Sequence, residues 1–95
     1  MLTSKERAKL RGLANSIETI LQVGKSGMGP QLIKQVEDAL TARELIKLRV
    51  LETCPQPAKE IAHQLAEATG SDPVQIIGSR FVLYKRNNKK TVIEL

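Results

Sequence analysis

The chain has 95 residues, of which 41% are hydrophobic and 26% charged, with a net charge of +5. This length suffices for one folded domain over residues 1–95 and excludes a two-lobed enzyme with an interdomain cleft. No apolar stretch approaches the roughly 20 residues of a membrane span, and the N-terminus has no hydrophobic segment after its charges. We therefore expect a cytoplasmic monomer with no membrane partner.

The first half of the chain predicts a helix, a strand and a helix, over about 4–16, 19–23 and about 30–41. Thr3 and Glu6 have the spacing of a capping box, and apolar residues follow at helical intervals. The short run "TILQV" is rich in β-formers and ends at Gly24. Pro30 suits the first turn of the second helix because that position needs no amide hydrogen.

The second half predicts a strand, a helix and a long β segment, over 44–52, about 57–69 and 74–86. In "ELIKLRVLE" the side chains of Lys47 and Arg49 lie on the wetter face of the strand. Gly78 interrupts the long β segment, where a bulge or bend is expected. "NNKK" then predicts a turn into a final strand, "TVIEL".

The predicted element order is helix-strand-helix-strand-helix-strand-strand. Two crossover units followed by a hairpin predict an α+β fold of two layers, with a mixed sheet of about four strands.

The single cysteine and the single histidine restrict the chemistry. Cys54 and His63 are the only residues of their types, so one chain cannot form a disulfide or assemble a zinc site from such ligands. His63 falls in a predicted helix without an obvious nucleophile, and Cys54 precedes Pro55 with no second histidine or cysteine to support it. We predict no catalytic residue, no metal, no cofactor and no small-molecule substrate.

The segment "VGKSGMGP", residues 23–30, contains three glycines, a lysine and a proline. A Walker-type nucleotide loop needs a glycine five residues before the Gly-Lys pair, and Thr19 stands there, which argues against nucleotide hydrolysis. A GxxG loop before a helix fits a different phosphate site, built from backbone amides, the helix dipole and a lysine. A turn with only a steric role is the alternative. The four residues concerned are Gly24, Lys25, Ser26 and Gly27.

Basic residues are concentrated near the C-terminus. Residues 1–78 carry ten Lys and Arg against nine Asp and Glu, whereas "SRFVLYKRNNKK" (79–90) carries five basic residues and no acid. On an extended strand, Arg80, Tyr84 and Arg86 share one face, so that cations flank an aromatic ring. Such a local basic surface favours a polyanionic partner. A solvated outer face with Tyr84 packed at the edge is the alternative.

Three segments in order, "VGKSGMG", "ARELIKLRV" and "VQIIGSRFVLYK", closely resemble the CRM domain (chloroplast RNA splicing and ribosome maturation), in particular its small single-domain bacterial members. The resemblance covers essentially the whole chain. It implies an RNA-binding fold similar to the C-terminal domain of the third bacterial initiation factor, with an added N-terminal helix. It also implies a GxxG loop that contributes to RNA contact, and an association with precursors of the large ribosomal subunit.

By position, the resemblance assigns RNA contact to the GxxG loop, to the basic side of the "ELIK" strand and to the terminal motif. The matching residues are Gly24, Lys25, Ser26, Gly27, Lys47, Arg49, Arg80, Tyr84 and Lys85, and Arg86 extends the same basic strand. Ser79 and Lys85 depart from the family pattern, which often has a basic residue and an arginine there. Lysine keeps the charge but lacks the bidentate geometry of a guanidinium.

The expected function is non-enzymatic binding of structured ribosomal RNA during assembly of the large (50S) subunit, with 23S rRNA or pre-50S particles as the partner. Phe81 and Tyr84 are too few aromatic residues for the stacking platform of an RRM sheet, so recognition should depend on phosphates and RNA shape. The rival hypothesis is a protein-interaction adaptor, on the ribosome or on an RNA enzyme, whose basic strand meets an acidic protein.

Overall fold

The structure is a computed structural model that describes residues 2–86 and residue 93. The helices of this part are α1 (Ser4–Ala14), α2 (Pro30–Arg43) and α3 (Ala58–Thr69), and the strands are β1 (Thr19–Val23), β2 (Leu45–Val50), β3 (Asp72–Ile77) and β4 (Arg80–Tyr84). None of these helices has the length and apolar character needed to cross a bilayer.

The four described strands form one mixed sheet in the order β1-β2-β4-β3. β1 and β2 are parallel and joined through α2, whereas β4 is antiparallel to both β2 and β3. A parallel pair needs a crossover connection, and helix α2 provides it. The predicted α+β fold with a mixed four-stranded sheet is confirmed.

The predicted long β segment over 74–86 is wrong, because the chain reverses at its centre. Gly78 and Ser79 form a two-residue turn between β3 and β4, which pair as a hairpin with Ile77 opposite Arg80. Gly78 has φ of 58°, as the first central residue of a type II′ hairpin turn requires. The predicted "NNKK" turn and "TVIEL" strand lie outside the described residues, apart from Ile93.

Helices α2 and α3 cover one face of the sheet, and α1 covers part of the other. The larger core cluster lies on the first face and includes Ile46 and Phe81. The smaller cluster lies under α1, where Leu10 and Ala14 pack against residues such as Tyr84. The predicted two layers therefore carry α1 as a partial third layer, and no other helix or strand within residues 2–86 covers the remainder of that sheet face.

The junction between α2 and β2 is built around a buried glutamate. Glu44 is fully buried and has φ of 65°, in the positive region that disfavours side chains other than glycine. Its backbone N–H donates to the Leu40 carbonyl (2.8 Å), and its own carbonyl accepts from the Lys85 amide (2.9 Å). Its carboxyl Oε1 accepts from the Ile93 amide at 2.6 Å. Glu44 thus joins the end of α2, the segment after β4 and Ile93.

Candidate nucleic-acid interface

The GxxG segment forms a tight turn between β1 and α2. The Gly27 amide donates to the Gly24 carbonyl at 3.0 Å, and Gly27 has φ of 59°. A Cβ on Gly27 would lie 2.5 Å from Oε1 of Gln56 and 3.3 Å from Cγ of Pro55. The positive φ therefore favours glycine at this position, and the contact with Pro55 leaves little room for a side chain. Lys25 and Ser26 are exposed at the tip of the turn.

Helix α2 begins three residues after this turn. Its N-cap is Gly29, which supplies no side-chain hydrogen bond, and its first turn contains no acidic residue. The amides at this helix start are thus without a side-chain cap or a nearby helix carboxylate, and the positive end of the helix dipole lies there. The turn and the first helical turn line an open groove of about 490 Å³. This groove has the chemistry expected of a phosphate site.

Hydrogen bonds place the GxxG turn and the β3-β4 hairpin turn at the same end of the sheet. The Leu51 amide donates to the carbonyl of Val23, the residue before the GxxG turn, at 2.9 Å. The Val50 amide donates to the carbonyl of Ser79 in the hairpin turn at 2.7 Å. The carboxyl ends of β1 and β2 and the start of β4 therefore lie at the same end of the sheet.

On the sheet face that α1 partly covers, three cations form what we call the basic face: Lys47, Arg49 and Arg80. Arg49 and Arg80 lie near this end of the sheet, and Lys47 lies opposite Thr19. Arg49 is directly opposite Arg80 on neighbouring strands, and Lys47 is two residues along β2 on the same face. Arg49 and Arg80 are exposed and Lys47 is half-buried, on the part of the sheet that α1 does not cover. Like charges directly opposite each other are destabilising. A bound polyanion would remove that repulsion.

The expectation that Tyr84 displays its ring between exposed cations is wrong. Tyr84 is only 3% exposed and packs under α1 in the smaller core cluster. Its strand neighbours do alternate between faces as predicted, but α1 covers the end of the face on which Tyr84 lies. The phenol oxygen is buried and has no hydrogen-bond partner among the described residues. Burial raises the pKa of Tyr84, and the charge of Glu44 adds to the rise.

Replacing Tyr84 with phenylalanine should therefore raise the free energy of unfolding by about 1 kcal/mol, since an unpaired buried hydroxyl is removed. Because the pKa of Tyr84 is raised in the folded state, the difference in stability between the two proteins depends on pH. In the unfolded chain the phenol ionises near pH 10, whereas the folded state keeps it protonated, so wild type should lose stability as the pH rises above about 10. Urea unfolding of both proteins at neutral and alkaline pH measures this. A lower stability of Tyr84→Phe at neutral pH would contradict the assignment.

Lys85 and Arg86 lie at the opposite end of the sheet from the GxxG turn, because β4 runs from Arg80 to Tyr84. Lys85 donates from Nζ to the carbonyl of Thr69 at 2.7 Å. This contact satisfies a carbonyl at the C-terminus of α3 and places a cation at the negative end of its dipole. Arg86 is exposed. The structure thus separates these two residues from the basic face.

Sequence reasoning missed three neighbours of the basic face. Asn15 is the C-cap residue of α1, and Gln75 and Ile77 belong to β3. All three line one cavity together with Lys47 and Arg80. The Gly-Ser pair at 78–79, a known hairpin signal, would have placed β3 beside β4, but no local pattern reports where α1 ends. No group of side chains suited to hold a metal ion occurs within residues 2–86.

Comparison with known protein families matches residues 2–85 to the CRS1/YhbY (CRM) domain. The "Probable RNA-binding protein YqeI" of Bacillus subtilis is 43% identical over 95 residues, covering all of this chain and 99% of the relative. An "RNA-binding protein" of Haemophilus influenzae is 28% identical over 91 residues, covering 96% and 92% of the two chains. The solution structure of protein SAV1595 from Staphylococcus aureus is similar, with a TM-score of 0.82 and 46% identity over all of this chain and 99% of that one. The family match and the full-length relative together establish that this chain belongs to the CRS1/YhbY (CRM) domain family.

Proposed function

We propose that this protein binds structured ribosomal RNA during assembly of the large ribosomal subunit, with 23S rRNA or pre-50S particles as its partner and without catalysing a reaction. The observation that carries the proposal is that Arg49 and Arg80 lie at the end of the sheet where the GxxG turn lies, with Lys47 further along the same face. The names of the relatives, which describe RNA-binding proteins, support RNA as the polyanion.

The proposed mode of binding is contact with the RNA backbone. Lys25, Ser26 and the amides at the start of α2 hold one phosphate, and the basic face meets neighbouring phosphates. Phe81 and Tyr84 are the only Phe, Tyr or Trp residues in the chain and both are buried, so neither can act as a stacking platform for bases. Binding should therefore respond to RNA shape and weaken steeply with salt, since each neutralised phosphate releases counterions.

Sequencing of RNA crosslinked to the protein in cells tests the partner. We expect crosslinks concentrated in 23S rRNA and in particles smaller than the mature large subunit. Co-sedimentation with protein-free 23S rRNA then separates RNA binding from the rival role as an adaptor. An RNA-binding protein sediments with naked rRNA, whereas an adaptor loses its ribosome association once the ribosomal proteins are stripped away.

Lys25→Ala should weaken binding to a 23S rRNA fragment several-fold and reduce the salt slope by about one unit, because one phosphate contact is lost. Ser26→Asp should weaken binding further, since it places a negative charge where a phosphate would lie. Ser26 is a better position for this change than Gly27, where any side chain would meet Gln56 and strain the backbone. Filter-binding titrations over a range of salt concentrations measure both effects.

Lys5→Ala is the matched control for the loop variants. Lys5 is exposed in the first turn of α1. Arg7, two residues further on, donates to the carbonyl of Pro73 in β3, which is the edge strand on the other side of the sheet from β1. The loss of Lys5 removes the same charge at a distance from the turn. Equal affinity and equal salt slope for wild type, Lys25→Ala and Ser26→Asp would exclude the GxxG turn from the RNA contact.

A further inference from the structure

A cavity of about 200 Å³ opens on the sheet face beside the basic face, where α1 ends. Two rows of residues run across β2, β4 and β3 at this place. They are Lys47-Val82-Gln75 and Arg49-Arg80-Ile77. The volume corresponds to about seven water molecules, and it is smaller than the 300 Å³ or more that is typical of pockets for drug-sized ligands. A single ring system fits it better than a larger molecule.

The floor and one wall of this cavity are apolar. Val82 is 3% exposed and forms part of the floor, whereas Ile77 is 64% exposed and stands at the rim. Ile77 is the most exposed large hydrophobic side chain in the described part of the chain. It lies directly opposite Arg80, one of the cations proposed to meet phosphate. An apolar side chain in this position can cover the flat face of a ring while the cations remain beside it.

Two carboxamides complete the rim. Asn15 approaches from the end of α1 and Gln75 from β3, and both line the cavity. A carboxamide presents one acceptor and two donors, which matches the edge of a nucleobase. Neither side chain takes part in a hydrogen bond with another described residue, so both are available to a ligand. An RNA phosphate only accepts hydrogen bonds, so it offers no donor to the oxygens of the two carboxamides.

We infer that this cavity receives one unpaired nucleobase of the bound RNA. Its ring lies against Ile77 and Val82, its edge pairs with the amides of Asn15 and Gln75, and Lys47 and Arg80 meet the phosphates on either side of it. A base within a duplex cannot enter, so the RNA must offer a bulged or loop nucleotide. The inference rests on the proposed RNA binding and adds a sequence-reading contact to a surface otherwise built for the backbone.

Binding of the full-length protein to a short RNA hairpin with one bulged nucleotide tests this inference. Five versions of the hairpin carry A, G, C, U or an abasic site at the bulge. Wild type should bind at least one of the four base-containing hairpins about tenfold more tightly than the abasic one. Gln75→Ala and Ile77→Ser should reduce that preference to less than twofold while the salt slope stays unchanged, because the phosphate contacts remain.

Leu13→Ser is the control, since Leu13 is the other exposed large hydrophobic residue of the described chain and does not line this cavity. It should leave the base preference intact. Equal binding of all five hairpins by wild type would overturn the inference and leave the proposed RNA binding standing. No binding of any hairpin or of 23S rRNA would overturn both. Binding of polyglutamate that is lost in Gln75→Ala would assign the cavity to an acidic protein instead.

Discussion

RNA binding by the triple variant Lys47→Ala/Arg49→Ala/Arg80→Ala should be much weaker and much less sensitive to salt than binding by the wild type. Each phosphate contact contributes about 0.7 to 0.9 to the slope of log affinity against log salt, so the loss of three contacts should reduce that slope by about two to three units. Arg49 and Arg80 are exposed and face each other across β2 and β4. Their removal should preserve the fold and relieve repulsion.

A second triple variant, Lys5→Ala/Lys34→Ala/Arg43→Ala, controls for the change in net charge. These three side chains are exposed on α1 and α2, away from the open part of the sheet face. The control lowers the net charge by the same amount, so a general electrostatic effect would change both slopes equally. Circular dichroism and thermal unfolding verify that both variants are folded. Equal slopes for the two triple variants would show that RNA does not meet the basic face.

Glu44→Ala should lower the free energy of unfolding by about 3 kcal/mol. The carboxyl group of Glu44 is fully buried and accepts a 2.6 Å hydrogen bond from the Ile93 amide. Hydrogen bonds to charged groups contribute about 1.5 to 3 kcal/mol, and the truncation also leaves the part-buried amide of Ile93 without this acceptor. Alanine keeps the unfavourable positive φ of this position, so nothing offsets the loss.

Two further substitutions of Glu44 separate the effect of the lost hydrogen bond from that of the unfavourable backbone conformation. Glu44→Gln retains the size and one acceptor oxygen, so it should cost only about 1 kcal/mol. Glu44→Gly loses the side chain but relieves the backbone, and should be more stable than Glu44→Ala by about 1 kcal/mol. Urea unfolding measures all three. An alanine variant as stable as wild type would mean that the contact with Ile93 adds nothing to folding.

Much of the local structure follows from the sequence because it depends on neighbouring residues. The capping box at Thr3 and Glu6 forms as predicted, with hydrogen bonds of 2.9 and 3.1 Å. The GxxG turn lies between a strand and a helix that starts at Pro30, also as predicted. The Gly-Ser pair indicates the hairpin turn at Gly78, where we predicted a bulge or bend within one β segment. β-forming residues on both sides of the pair concealed the change of direction.

The composition of the candidate site was harder to predict because it depends on long-range packing. Tyr84 occupies a position that the alternating pattern of β4 assigns to the same face as the exposed Arg80. It is nevertheless buried, because α1 lies over that part of the face. Lys85 has the charge expected of an RNA contact, yet its Nζ binds the end of α3. Neither the helix that covers a strand nor the carbonyl that attracts a lysine is visible in a single stretch of sequence.

The sequence by itself determined the three helices, the first two strands, the GxxG turn and the excess of positive charge, because periodicity, turn chemistry and composition are properties of contiguous residues. The tertiary structure decided which charges act together. Strand order sets Arg49 opposite Arg80 and beside the GxxG turn, and the position of α1 leaves that part of the sheet open. The resemblance carried by "VGKSGMG", "ARELIKLRV" and "VQIIGSRFVLYK" in this order identified the family. The pairing of distant strands singles out Lys47, Arg49 and Arg80 as the surface to test.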